Sequence, residues 1–187
     1  ERVEMKLKTK RFTIREVEKS DIESLVGSIN NLNVSRYLLS VAYPYKREDA
    51  EWFIDHCADR KKERPKKSYN FHICFKGKDQ VIGGIGLSKV NQERGTAHIG
   101  YWLAQPYWRQ GIMSEVEARV IDFAFNKLGL KRLMAPIFEE NNASQMLARK
   151  LGFKYKRKNK KKYRAKSTGK PHYEKVYVLA KEGWIGK

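Results

Sequence analysis

Long apolar runs are missing from this sequence. No stretch approaches the ~18 consecutive apolar residues of a membrane-spanning helix. The chain opens on Glu1-Arg2-Val3-Glu4 instead of a charged, apolar and small-residue leader. Cysteine is equally scarce. Cys57 and Cys74 are the two present, too few for a disulfide scaffold and without metal-ligand spacing. Reduced core thiols are the simpler reading, with one bridge between them left open. The four histidines form no cluster with cysteine or aspartate, so no metal site is expected. Together these absences point to a cytoplasmic protein.

Negative charge is also in short supply. Asp and Glu number 21 against 40 Lys and Arg, a net charge of +19. Such a field disfavours polycationic substrates and attracts polyanions. A Lys-rich solvated surface would give the same count. Against a mean hydropathy of -0.72, the hydrophobic fraction of 41% and aromatic fraction of 12% still supply a core. A chain of 187 residues fits one domain that buries roughly two thirds of its unfolded surface.

Residues 1–10 are polar and expected to fray. Phe12 to Glu16 alternates like a strand. Ser20-Asp21-Ile22-Glu23 reads as a capping box in which Ser20 bonds the third helical amide. Apolar spacing predicts a helix from Ile22 to about Ile29 and another over Arg47–Arg60. An exposed loop around Pro65 follows. Strands are expected at Tyr69–Phe75, Gln80–Val90 and Arg94–Leu103, the first two joined by Lys76-Gly77-Lys78-Asp79. A long helix over Gly111–Leu128 stops at Gly129. After it come a strand at Arg132–Phe138, a helix at Ala143–Leu151 ended by Gly152, and a last strand at Tyr173–Leu179. With the basic stretch ahead of Tyr173 counted as one arm of a hairpin, the order β-α-α-β-β-β-α-β-α-β-β describes a single mixed α/β (α+β) domain over residues 1–187.

The chemistry sits in the middle of the chain. Ala97-His98-Ile99-Gly100-Tyr101-Trp102-Leu103 is a strand. The turn Ala104 to Gln110 leads to a helix that starts at Gly111. Free amides at a helix start make an anion site that the helix dipole strengthens. Gly111 permits close backbone approach, and Arg109 adds charge. Every strand-turn-helix has a positive start, however, so this segment alone is weak. A second pattern lies downstream: Asn141-Asn142-Ala143-Ser144, then Leu147 and Lys150-Leu151-Gly152-Phe153.

Together the two segments resemble the GNAT superfamily of N-acetyltransferases. The similarity is to the branch that acetylates ribosomal-protein N-termini (RimJ/RimL-like). Ile99 to Leu103, Trp108, Gly111, Asn141, Ser144, Gly152 and Phe153 carry it. It runs from about Arg11 to Trp184 and is strongest from Gly95 to Phe153. It implies a mostly antiparallel twisted sheet flanked by helices, with a splayed strand pair that holds acetyl-CoA. Backbone groups of Trp102 and Leu103 would pair with the pantothenate arm. Amides of Trp108, Arg109, Gln110, Gly111, Ile112, Met113 and Ser114 would hold the pyrophosphate. Asn141 and Ser144 would sit beside the arm and thioester.

Four positions depart from the family pattern. Arg109 stands where glycine is common, and Met113 where a small residue is common. Ala148 replaces a frequent tyrosine acid, which leaves Ser144 as the nearest hydroxyl for the leaving thiolate. His98 replaces an acidic residue. It is the candidate general base, set against a histidine that merely faces a partly buried sheet.

Other features have plainer readings. His56, His72 and His172 are expected to be bystanders, His172 without a partner. Gly83, Gly84 and Gly86 lack a following helix and fit close packing or a bulge better than a nucleotide loop. Lys154–Lys170 is either a solvated hairpin or loop, or a contact for RNA phosphates or an acidic protein surface, with Tyr155 and Tyr163 available to stack. The expected activity is acetyl transfer from acetyl-CoA to a primary amine, foremost a protein N-terminus, by a monomer or homodimer. A small-amine acetyltransferase and a non-catalytic RNA- or ribosome-binding module remain as alternatives.

Overall fold

A computed structural model describes residues 5–186. Strands β1 (Lys6–Lys8), β2 (Phe12–Glu16), β3 (Tyr69–Phe75), β4 (Gly83–Asn91), β5 (Thr96–Leu103), β6 (Arg132–Phe138), β7 (Lys154–Arg164) and β8 (Pro171–Ala180) form one sheet. Its order is β1-β2-β3-β4-β5-β6-β8-β7. Neighbours are antiparallel except β5 and β6, which run parallel. A parallel pair needs a crossover, and helix α4 (Ile112–Asn126) supplies it.

Helix α4 is long because its apolar residues recur on one side. Ile112, Val116, Val120, Ile121 and Ala124 are buried against the sheet in the larger core, which also takes up Leu147 and Ala148 of helix α5 (Asn142–Lys150). The opposite face carries helices α1 (Ile22–Ile29), α2 (Leu32–Ser35) and α3 (Arg47–Arg60), with a smaller core that includes Leu25, Ile29, Ile54 and Cys57. Cys57 and Cys74 are both free and buried. Burial pushes their thiols up to about 12 and about 11, keeping them protonated.

Several expectations change. The capping box at α1 is built by Glu18 and Asp21, around a short 3-10 turn at Lys19–Asp21; Ser20 only donates to Glu18 Oε2 at 3.3 Å. Asp21 serves there because its carboxylate is already fixed in a buried network. It accepts from both Nη atoms of Arg15, at 2.6 and 2.9 Å, and pairs with His72 Nδ1 at 2.7 Å. Burial opposes ionisation of Asp21, but the bonds from His72 and Arg15 outweigh it and hold the carboxyl far below the usual range. His72 is therefore part of the packed frame. Lys6–Lys8, expected to fray, pairs with β2 instead, and residues 1–4 lie outside the described residues. Helix α2 was not foreseen. The β3–β4 connection is longer than the four-residue hairpin expected.

The glycines of β4 pack closely, as expected. A Cβ at Gly84 would lie 2.4 Å from Trp102 Nε1, and one at Gly83 2.7 Å from the Trp102 carbonyl oxygen. The basic stretch is a hairpin, not a mobile loop: β7 pairs with β8 along its length, with irregularities. Its lysines stand on an exposed sheet edge, where repeated charge also resists edge-to-edge association.

Candidate active site

The pairing of β5 with β6 is short. Its rungs are Thr96 to Arg132, Ala97 to Leu133 and His98 to Met134, and there the ladder stops. Beyond it β6 continues with β8, while β5 from Ile99 to Leu103 keeps only β4. Pro136, which brings no N–H, stands just past the last rung on β6. The strands splay, and a cavity of about 170 Å³ occupies the gap. Around it stand Gly100 and Tyr101 from β5, Glu117 from α4, Ser144 and Ala148 from α5, and Glu174 from β8. Residues 135–138 of β6 and 37–39 of the α2–α3 connection complete the wall. Gly100 borders this space, and a Cβ built on it would meet nothing within 4 Å.

The α5 side of the cavity is ordered by a cap. Asn141 Oδ1 accepts from the Ser144 backbone N–H at 3.2 Å and starts the helix. Ser144 Oγ then accepts from the Tyr101 hydroxyl at 3.1 Å, linking α5 to β5. Burial, and secondarily the charge of Glu117, raises Tyr101 beyond any titration near neutrality.

At the other end of β5, the chain turns through Gln105–Tyr107 and enters α4 at Gly111, whose φ of 71° is left-handed. No side chain caps this 15-residue helix, so its first amides face outward with the positive dipole end. Trp108 Nε1 donates to the Leu103 carbonyl at 2.7 Å, and Arg11 binds both the Gln110 carbonyl, at 3.1 Å, and Glu115, at 2.8 Å. Arg109 has φ 61°, also left-handed, although it is not glycine. Glycine adopts that conformation without the Cβ clash. Ile112 and Met113 turn their side chains into the core, so they offer the site only backbone.

His98 occupies the last rung before the splay, half-buried, and does not line the cavity. By strand alternation it shares a face with Gly100 and Trp102, and through Met134 and Val178 with Glu174. Trp102 on that face packs against the smaller core. Burial, then Lys89 and Arg157, lowers His98 below 6.5, so its ring is neutral at pH 7. Burial raises Glu174 despite a bond from Asn159 at 2.9 Å. His172, expected to lack a partner, meets Glu140 Oε2 at 3.0 Å and stacks on Phe138; β8 delivers it to the end of β6, which sequence order hid. His56 stacks on Trp52 on α3, away from the site.

Of the residues singled out in the sequence, Asn141 and Ser144 border the cavity and Gly111 opens α4; Arg11 at that helix start and Glu117 and Glu174 at the cavity were not singled out. Arg11 lies 104 positions from Glu115, beyond any local pattern. Glu117 did leave a signal, a carboxylate inside the apolar stripe of Met113, Val116, Val120 and Ile121.

A parallel pair that splits after His98, a cavity in the gap and an uncapped helix start after β5 give the chain the layout of a GNAT-type N-acetyltransferase. A model of the acetyltransferase (GNAT) domain matches residues 11–154. The chain belongs to this family. It is 31% identical over 175 residues to the uncharacterized N-acetyltransferase YoaA of Bacillus subtilis, covering 94% of this chain and 96% of that one. Among solved structures, the ribosomal-protein-S5-alanine acetyltransferase of Vibrio fischeri superposes with a TM-score of 0.80 at 18% identity, covering 96% and 98% of the two chains. RimJ of Mycobacterium smegmatis, in complex with CoA-disulfide, does so with 0.80 at 19%, covering 96% and 87%. Among the described residues no helix is long and apolar enough to cross a membrane, and no group of metal-ligating side chains occurs.

Proposed function

We propose that this protein transfers the acetyl group of acetyl-CoA to the α-amine of a protein N-terminus, with ribosomal proteins the foremost class of acceptor. The cavity in the gap between β5 and β6 carries this reading, because the strands part after His98 and leave one edge of β5 open beside Asn141 and Ser144, with the α4 start at the far end of that strand. Acetyl-CoA supplies an activated carbonyl with a thiolate leaving group. The amides at Gly111 to Ser114, with Arg11 and Arg109, are suited to its pyrophosphate. The edge of β5 that β6 leaves open beyond His98 suits the arm, and Asn141 and Ser144 line the path.

An α-amine suits the site because it needs little activation. Roughly a tenth of it is neutral at pH 7, against ~400-fold less for a lysine amine. A mild base suffices, and neutral His98, at the last rung before the splay, suits that role. The net charge of +19 argues against polyamine-like acceptors and for acceptors borne on, or beside, polyanions. Similarity to a ribosomal-protein-S5-alanine acetyltransferase points the same way.

Turnover of acetyl-CoA against a panel of N-terminal peptides, small amines and antibiotics tests the proposal. Fastest acetylation of a peptide α-amine is expected. Preference for a small amine would overturn the acceptor class, and no turnover with binding of RNA alone would make the protein a docking module.

A further inference from the structure

Glu117 has no place in the reading above. It lies on the core face of α4, is 2% exposed, and its Oε2 has no hydrogen-bond partner. An ionised carboxylate left so would be very costly. Yet this side chain is not enclosed by apolar packing alone, because it borders the cavity beside Tyr101, Ser144 and Ala148. A buried polar atom without a partner, at the wall of a reaction cavity, is a group waiting for one.

The transfer needs such a group. When the amine nitrogen forms its bond to the carbonyl carbon, the carbon–sulfur bond breaks and its electron pair goes to sulfur. A proton must follow that pair. In the reading above the amine proton goes to His98, so it does not supply the sulfur. Within the cavity the hydroxyl of Ser144 is a very weak acid, and Tyr101 is driven further from ionisation by its burial. Ala148 offers nothing.

We propose that Glu117 is the general acid of this reaction and gives its carboxyl proton to the departing sulfur. The proposal rests on acetyl transfer from a thioester but not on the identity of the acceptor. Glu117 then holds a negative charge until the products leave, and it regains a proton from water entering the cavity. Burial raises Glu117 to about 8, so it is protonated at neutral pH yet acidic enough to exchange with a thiolate. The titratable groups facing the same space are Tyr37 from the α2–α3 connection, Tyr101 from β5 and Glu174 from β8. Residues 135–138 of β6 bring none, α5 brings only Ser144 and Asn141, and no cation lines the cavity among the described residues. Nothing there stabilises the ionised form of Glu117 in advance of the reaction.

Three measurements test this. Infrared titration of the ligand-free protein should show a protonated carboxyl band that is lost with a midpoint near 8 and is absent in Glu117→Gln. With acetyl-CoA and the best acceptor peptide, Glu117→Gln should lose roughly 10²–10⁴-fold in kcat with little change in acetyl-CoA affinity. With the acetyl thioester of a nitrothiophenol, whose thiolate leaves unaided, most of that loss should disappear. Should Glu117→Gln not fold, wild type decides alone. Its kcat with acetyl-CoA should fall above pH 8 while turnover of the nitrothiophenyl ester does not. A variant within threefold of wild type, equal losses with both thioesters, or the same alkaline limb with both would overturn the role of Glu117. Absence of acetyl transfer by wild type would instead overturn the functional reading beneath it.

Discussion

Trp108 donates its indole N–H to the carbonyl oxygen of Leu103 at 2.7 Å, although 39% of the residue remains exposed. The bond ties the turn back onto the last residue of β5. It thereby fixes where α4 begins relative to the open strand edge. The tryptophan serves here as a clasp on the anion loop, and its ring face stays available to solvent or ligand. Replacing it with phenylalanine keeps the ring and removes the donor. Trp108→Phe should weaken acetyl-CoA binding by about 0.5–1.5 kcal/mol, the range of one hydrogen bond. Calorimetry with acetyl-CoA and thermal melting together check this, since the fold itself should hardly change.

Gly111 is the more sensitive element of the same loop. Its φ of 71° disfavours any side chain, and an added Cβ would stand at the helix start, 3.8 Å from Arg11 Nη2. Gly111→Val should weaken acetyl-CoA at least tenfold, ~1.4 kcal/mol, through both backbone strain and blocked approach. A folded Gly111→Val protein with unchanged affinity would remove this loop from the site.

Arg109 poses a trade. Its left-handed φ of 61° costs roughly 1–2 kcal/mol for a residue with a Cβ. Arg109→Gly should relieve part of that strain and leave or raise the melting temperature. It should also lower acetyl-CoA affinity and flatten its salt dependence, because a cation beside the anion site is lost. Melting curves and binding at two ionic strengths read the two effects separately.

Elements with one buried face were the most legible in the sequence. Arg47–Arg60 and Arg132–Phe138 have the bounds expected from apolar spacing, because a period of 3.6 or 2 survives where one face is buried. The splay between β5 and β6 was legible only through family resemblance. Nothing local in Thr96–Leu103 announces that its neighbour leaves after His98. The basic stretch hid a strand for a related reason. Lysines on both faces of Lys154–Arg164 erase the alternation that marks a half-buried strand, and pairing with β8 decides its structure. Glu174 was invisible because its partners in the cavity come from β5 and α4, far away in sequence.

The lysines of β7 offer a test of partner association apart from chemistry. Lys160, Lys161 and Lys162 lie on the exposed edge of the hairpin, while Lys158 is held by Glu139 at 2.7 Å. Changing the three exposed lysines to glutamine should lower affinity for ribosomes or RNA and reduce the slope of its salt dependence. Activity on a short neutral peptide should stay near wild type. Undiminished polyanion binding at every salt concentration would mark the run as a solvated edge.

The last prediction concerns the base. His98 stands at the apex of the splay, on the sheet face it shares with Glu174, and both lie in the field of Lys89. Because burial and the two neighbouring cations lower it below 6.5, it is neutral and able to accept a proton through the physiological range. As pH falls through that lowered value the ring becomes charged and catalysis is lost. The acid limb of kcat should therefore lie below pH 6.5 in wild type. His98→Ala should lower kcat by roughly 10²–10⁴-fold, leave acetyl-CoA affinity nearly intact, and move or abolish that limb. His98→Glu should restore part of the rate, since a carboxylate at the same position also accepts a proton. Glu174→Gln serves as the competing variant. It borders the cavity itself, and its raised carboxyl would place an acid limb above the ordinary glutamate range. If His98→Ala stays within threefold of wild type from pH 6 to 9 while Glu174→Gln loses the acid limb, the amine proton goes to Glu174, and His98 only closes the end of the ladder.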